Sequence, residues 1–275
     1  MERMSTARLA SLHLYPLKSA GGVSVPSVQV DETGLRHDRR WMIVDAESRF
    51  LTQRSHARMA LLRTALTADW LRVTAPDMSP LELPLGEPDP DALHEMIPVW
   101  DKDRYAVSCG SVAAEWASDF MNVECRVVQT LSPTGESRMG PRGTVRAGFA
   151  DGFPALVISA ASLDDLNGRL AEPVPMGRFR PNIVVEGVPP FAEDGWQGVR
   201  IGALDLVPRK KCVRCAITTT DQETGERGVE PLRTLATYRR VTDGEVAFGM
   251  NMGFENEGVL RVGDPLSWNH ESLAP

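Results

Sequence analysis

The chain has 275 residues, 42% of them hydrophobic and 24% charged, with a formal net charge of −7. That composition is globular, excludes wholesale disorder, and argues against nucleic-acid binding through an overall basic field. No apolar run approaches the roughly 20 residues of a membrane helix, and the opening "MERMSTARLASLHLYPLKS" has no apolar signal core, so a cytoplasmic protein is expected.

In chain order, residues 7–85 read mostly as short strands. "ASLHLYPL" ends at a proline, "SVPSVQV" alternates up to the turn "DETG", and "RRWMIVDAESRFLT" has the look of a hairpin turning at "DAESR". "WLRVTAPDMSPLELPL" offers two more strands, and so many short strands with Gly/Pro turns suggest a barrel or curled sheet. "SVAAEWASDFM", 111–121, predicts a helix with Ser111 as N-cap and Val112, Ala113, Trp116 and Phe120 on one stripe. Residues 132–152 are rich in Gly, Pro, Ser and Arg without sustained periodicity. They read as a long loop or linker, with Arg138, Arg142 and Arg146 on a solvated tether.

Beyond it, "PALVIS" is a buried-type strand, and "SLDDLNGRL" a helix with a capping-box-like start at Ser162 and Asp165. "FRPNIVVEG" is a strand and "VRIGALDLVPRK" a hairpin. "EPLRTLATYRR" predicts a helix over 230–240 with Pro231 in its first turn, and "VAFGMNMGFENEGVLRVGDPLSW" closes the chain in strands. The expected class is mixed, β-rich α+β, in two halves joined near 126–150.

The second strand of that hairpin runs into "KKCVRCAITTTDQETG", 210–225. In a reducing compartment the four cysteines should be thiols, metal ligands or catalytic groups. Structural zinc wants four ligands, but Cys109 and Cys125 do not form a second close pair and the five histidines form no i, i+4 pair. A thioredoxin-type disulfide wants a helix start, whereas "AITTT" is β-branched and strand-like. Arg209, Lys210, Lys211 and Arg214 would stabilise one thiolate, suiting nucleophilic attack or ligation of a soft metal; a buried free cysteine beside surface basics stays open. "YPLKS" (15–19), "HDRRW" (37–41), "FRPN" (179–182) and "TTTD" (218–221) add Lys, Arg, Ser and Thr at strand ends, the usual kit for a phosphate or other polyanion if they converge.

"YPLKS", "DRRW", "LNGRL", "FRPN", "CVRCAITTTDQETG", "EPLRTL" and "VGDPL", in this order, closely resemble the MOSC-domain family, in particular members with an N-terminal MOSC β-barrel domain that reduce amidoximes. The likeness runs from about residue 9 to 268 and implies an N-terminal β-barrel domain over 1–128 and a MOSC β-barrel domain over 129–275. It further implies the molybdenum cofactor, a pterin dithiolene with a phosphate, with Cys215 as the metal ligand and Cys212 as a non-ligating neighbour. Cofactor contacts then fall on Lys18, Ser19, Arg39, Arg180, Asn182 and Arg214, and on Gly152 and Phe153, where relatives carry small hydroxyl residues and this chain departs. The family also carries pyridoxal phosphate binding as a general label.

The implied substrate is a small N-hydroxylated molecule, the implied electron donor a separate protein, and neither nucleic acid nor membrane is an expected partner. Asp221 is a candidate proton handler, or else a turn-capping aspartate before "QETG". A carrier that holds a persulfide on Cys215, or delivers the cofactor without turnover, is the rival expectation.

Overall fold

The computed structural model describes residues 7–88, 94–100, 102–131, 136–140, 143–146 and 148–270. Its largest sheet has eight strands in the order Val23–Val25, Arg8–Leu14, Ile183–Glu186, Ala155–Ser159, Ala247–Phe254, Leu204–Val213, Trp196–Ile201, Leu266–His270. A second sheet orders Trp41–Asp45, Cys125–Thr130, Lys102–Ser108 and His94–Val99, and two three-stranded sheets complete the barrel-like walls. The protein is thus β-rich with a few helices, as its strand patterning implies.

The first strands do not stay with the first half. Arg8–Leu14 pairs antiparallel with Ile183–Glu186, and Ser27–Asp31 with Gly258–Arg261. "YPLKS" then turns the chain from the large sheet to the second one. Trp41 N–H donates to Pro16 O at 3.0 Å and Lys18 N–H to Trp41 O at 2.8 Å.

All five residues of Ala155–Ser159 are buried, so the strand shows no alternation. Ala155 and Val157 face the core of the large sheet, while Leu156 and Ile158 face a second cluster with Phe179 and Phe248. The helix Ala160–Asn167 crosses over to the parallel neighbour Ile183–Glu186, an arrangement that buries a strand on both faces.

Several expectations change. The helix Ser111–Met121 starts at Gly110, whose backbone serves as N-cap without any side-chain bond from Ser111. Its buried stripe is Ala113, Ala117, Phe120 and Met121, which leaves Val112 one position off and 73% exposed. The second helix is capped by Ser159, which accepts the Ser162 N–H at 3.1 Å. Within 230–240 only Leu232–Leu235 is α-helical. "AITT" is a 3-10 turn, because Thr218 and Thr219 donate their hydroxyls to Cys215 O and Ala216 O at 3.0 and 2.8 Å, and these local bonds outweigh β propensity. The expected loop at 132–152 contains an antiparallel hairpin, Glu136–Gly140 with Gly143–Arg146. Arg142 lies outside the described residues, as do the side chains of Arg138 and Arg146.

The Ser159 cap leads to a carboxyl group buried without a cation. Glu193 is wholly buried, and its Oε1 accepts the Ser159 N–H at 3.2 Å and the Ser162 hydroxyl at 2.9 Å. Burial pushes this carboxyl above its ordinary value of 4.5. The folded protein therefore keeps a proton that the unfolded chain has lost, and this contribution to stability falls as pH rises above 4.5 through the folded value. Glu193→Gln, a neutral isostere, should gain on the wild type between pH 5 and pH 8 in urea midpoint. A difference independent of pH would mean the carboxyl is not held protonated.

Candidate functional site

Three backbone segments meet where "YPLKS" leaves the large sheet. Lys18 is 5% exposed; its ammonium donates to Phe149 O at 2.7 Å and pairs with Asp151. Burial pushes the amine down and Asp151 opposes that shift. For Asp151, burial works upward, but Lys18 and then Arg54 outweigh it and hold the carboxyl well below the usual carboxylate range. The 148–152 stretch that supplies Asp151 is a fixed wall: Phe149 is wholly buried and its N–H donates to Arg39 O at 2.8 Å. A Cβ at Gly148 would lie 2.7 Å from that same oxygen, so glycine permits the approach.

Arg39 and Arg180 form the second part. Their guanidinium carbons lie 4.6 and 4.2 Å from the centroid of the Tyr15 ring. Tyr15 is 3% exposed, and its hydroxyl donates to Pro181 O at 3.1 Å. Asp38 pairs with Arg39 and also accepts the Tyr15 N–H at 2.8 Å. Burial lowers the Arg39 guanidinium, but Asp38 more than reverses it; Arg180 has no such partner, and burial brings it down to about 10. Asn182 Oδ1 accepts from Arg39 Nη1 at 2.9 Å and from Leu156 N–H at 3.2 Å, while its Nδ2 donates to His13 O at 3.1 Å. Asn182 therefore positions Arg39. Ser19, Arg39 and Arg180 all have left-handed backbones, with φ of 68°, 49° and 55°. Such conformations cost about 1–3 kcal/mol each and persist where surroundings over-determine them, which is common at ligand sites.

The cysteines complete the cleft. Cys215 is the N-cap of the 3-10 turn Ala216–Thr219, and Arg54 Nη1 donates to its sulfur at 3.6 Å. Arg214 Nη1 donates to Cys212 Sγ at 2.8 Å and Nη2 to Phe179 O at 2.6 Å, while its buried Nε has no hydrogen-bond partner. The "TDQETG" loop docks onto the N-terminal half through reciprocal bonds of 3.1 Å between Gln53 and Gln222.

Lys18, Ser19, Arg39, Gly152, Phe153, Arg180, Asn182, Arg214 and Cys215 all line one cleft of about 260 Å3. Asp221 does not. Its carboxylate accepts the N–H groups of Glu223 and Thr224 at 2.8 and 3.0 Å and pairs with Arg178 at 2.6 Å, bonds that hold it below the usual carboxylate range. It caps a turn, and the proton-handling expectation for it is withdrawn.

The described lining holds six cationic side chains (Lys18, Arg39, Arg180, Lys210, Lys211, Arg214) against one carboxylate, Asp151. Such a cleft attracts an anion and stabilises it at short range. No group of three or more His, Cys, Asp or Glu side chains able to hold a metal occurs among the described residues. A metal at Cys215 would need its other ligands from an organic cofactor, and an anionic dithiolene with a phosphate suits both a soft cysteine sulfur and the cationic walls.

Sequence reasoning missed Arg54, Asp151 and Asp38. Arg54 lies in "TQRSH" with no signal in spacing, and Asp151 was hidden in a segment read as linker. Tyr15 was quoted only as part of its motif, yet two guanidiniums of the cleft lining pack on its ring. Inorganic phosphate should raise the Tm of the wild type and of Tyr15→Phe, which keeps the ring. Tyr15→Leu loses two cation–π contacts, each worth about 2 kcal/mol when desolvated, and should lose the phosphate-dependent rise. A rise retained in Tyr15→Leu would remove Tyr15 from the site.

Family models match two stretches of the chain: the MOSC N-terminal beta barrel domain at residues 6–124 and the MOSC domain at 144–267. Mitochondrial amidoxime-reducing component 1 of Mus musculus is 36% identical over 276 residues, covering 94% of this chain and 81% of the relative. The Homo sapiens component 1 is 33% identical, with 94% and 82% covered, and the Rattus norvegicus component 2 is 34% identical over 284 residues, with 94% and 82% covered. Among solved structures, a Bacillus subtilis protein, YuaD, aligns over 97% of each chain at 10% identity and a TM-score of 0.43, a likeness too slight to carry weight.

Proposed function

The chain belongs to the MOSC-domain family, with a MOSC N-terminal β-barrel domain ahead of the MOSC domain, and from that premise we propose that it is a molybdenum-cofactor-dependent oxidoreductase that reduces N-hydroxylated compounds such as amidoximes, hydroxylamines and N-hydroxylated bases. The observation that carries the reading is the convergence of Cys215, Lys18, Arg39, Arg180 and Arg214 from distant parts of the sequence on one cationic cleft.

When bound, the cofactor supplies the electrons and the oxygen-accepting metal for N–O cleavage. Reduction of each N–OH group to N–H consumes two electrons and two protons and releases one water. Cys215 offers the soft sulfur for molybdenum, and Arg54 stands 3.6 Å from it. Arg39 and Arg180, packed on Tyr15, with Arg39 braced by Asp38 and Asn182, would hold the anionic cofactor with Lys18, Ser19 and Arg214. Asp151 opposes the downward push of burial on the Lys18 ammonium and so helps keep it charged for the anion. Electrons come from a separate donor protein.

The test is metal and pterin analysis of protein made in a host that synthesises the cofactor, followed by benzamidoxime reduction with an artificial donor. Molybdenum near one per chain with turnover supports the enzyme. Metal-free protein with cyanide-labile sulfur on Cys215 would replace it with the sulfur carrier.

A further inference from the structure

One aromatic at this site belongs to none of the motifs above. Trp100 sits at the tip between the strands His94–Val99 and Lys102–Ser108, with a left-handed backbone at φ 60° that is an outlier for so bulky a residue. Its indole is held from three sides. Nε1 donates to Asp151 Oδ1 at 3.2 Å, the Arg54 guanidinium lies 4.6 Å from its ring centroid, and Phe50 meets it edge-on at 5.2 Å. Despite these contacts Trp100 remains 45% exposed.

Two of these contacts lead toward the cleft. Asp151 is its one described carboxylate, and the Arg54 that covers the indole also donates to Cys215 Sγ. Beside Asp151 the wall is open, since a Cβ at Gly152 would meet no atom within 4 Å. A half-exposed aromatic therefore stands one side chain, Arg54, away from the Cys215 sulfur. Fixed aromatics of this kind bind flat π-systems by stacking at little entropic cost.

We infer that Trp100 is a specificity-determining residue that stacks on the conjugated part of the substrate, so that the protein prefers planar N-hydroxylated amidines or bases over small alkyl ones. This inference rests on the reductase reading proposed above.

The experiment compares benzamidoxime with acetamidoxime as substrates of the cofactor-loaded wild type, Trp100→Ala and Trp100→Phe, with molybdenum content measured on each. Trp100→Ala should raise KM for benzamidoxime about 5-fold, the scale of one aromatic contact, with kcat nearly unchanged. KM for acetamidoxime should move less than about twofold, and Trp100→Phe should retain most of the benzamidoxime preference. Equal shifts for both substrates, or no shift, overturn the stacking role. Loss of molybdenum from Trp100→Ala also overturns it, because the indole would then be supporting Arg54 and Asp151 rather than substrate. A loaded wild type that reduces neither compound is a failure of the reductase reading instead.

Discussion

Cys215→Ser should lose N-reductive activity by at least about 100-fold, beyond what it typically costs a metal site to lose a residue that only orients a ligand, while melting close to the wild type. Serine is a harder, less acidic ligand than a thiolate, so it is a poor substitute toward molybdenum. The fold has little at stake, since the Cys215 sulfur is held by a long 3.6 Å bond from Arg54. Cys212→Ser should keep substantial activity. Cys212 takes Arg214 Nη1 at 2.8 Å and packs beside the cluster around Phe179, so its loss loosens a neighbour without removing the ligand. Activity assays and thermal melts on both variants decide the matter. Equal, complete loss in both would mean the two cysteines work as one unit and would reopen a disulfide or zinc role.

Asp38→Ala should cost the largest share of stability of any single change at the site. The Asp38 side chain is 5% exposed, pairs with Arg39 and accepts the Tyr15 N–H. Burial raises its carboxyl while Arg39 and the backbone donor oppose it. Removing the carboxylate strands a mostly buried guanidinium and a backbone N–H, and breaking such a pair costs about 3–5 kcal/mol. Arg39 and Arg180, both packed on the Tyr15 ring, would then carry their charges with less compensation. Asp38→Asn still accepts the N–H and should lose less. Urea denaturation of the two variants measures this, and a loss under about 1 kcal/mol for Asp38→Ala would place the pair with ordinary surface ion pairs.

The strands were legible because alternation and Gly/Pro punctuation are local signals, as in "SVQV" and "WLRVT", where buried and exposed residues do alternate. The position of the helix 111–121 was legible for the same reason, though its cap and the side to which Val112 points depend on packing that a stripe one residue wide does not specify. The site motifs could be quoted from sequence, but their convergence could not, because it depends on Arg8–Leu14 and Ser27–Asp31 pairing with Ile183–Glu186 and Gly258–Arg261, strands from beyond residue 180. Asp151 and Arg54 were invisible for another reason. Each gains its role through a partner more than 100 positions away, Lys18 for one and Cys215 for the other. Asp221 erred in the opposite direction, since a conspicuous carboxylate near the cysteines is consumed by its own turn.

The pairing of Leu12 with Ile183 sets a clock on the ribosome. At about 5–20 residues per second, the 171 positions between them take about 10–30 s to synthesise, and only then can Arg8–Leu14 find its strand partner. During that interval Leu9, Leu12 and Leu14, all buried in the finished protein, have only part of their final cover. Lys18 waits with them, so the cleft it lines is complete only near the end of translation or after it. The nascent chain should accordingly bind holdase chaperones through its first strand, and pulse-labelled fragments ending before residue 183 should be more protease-sensitive across residues 8–14 than fragments that extend past it.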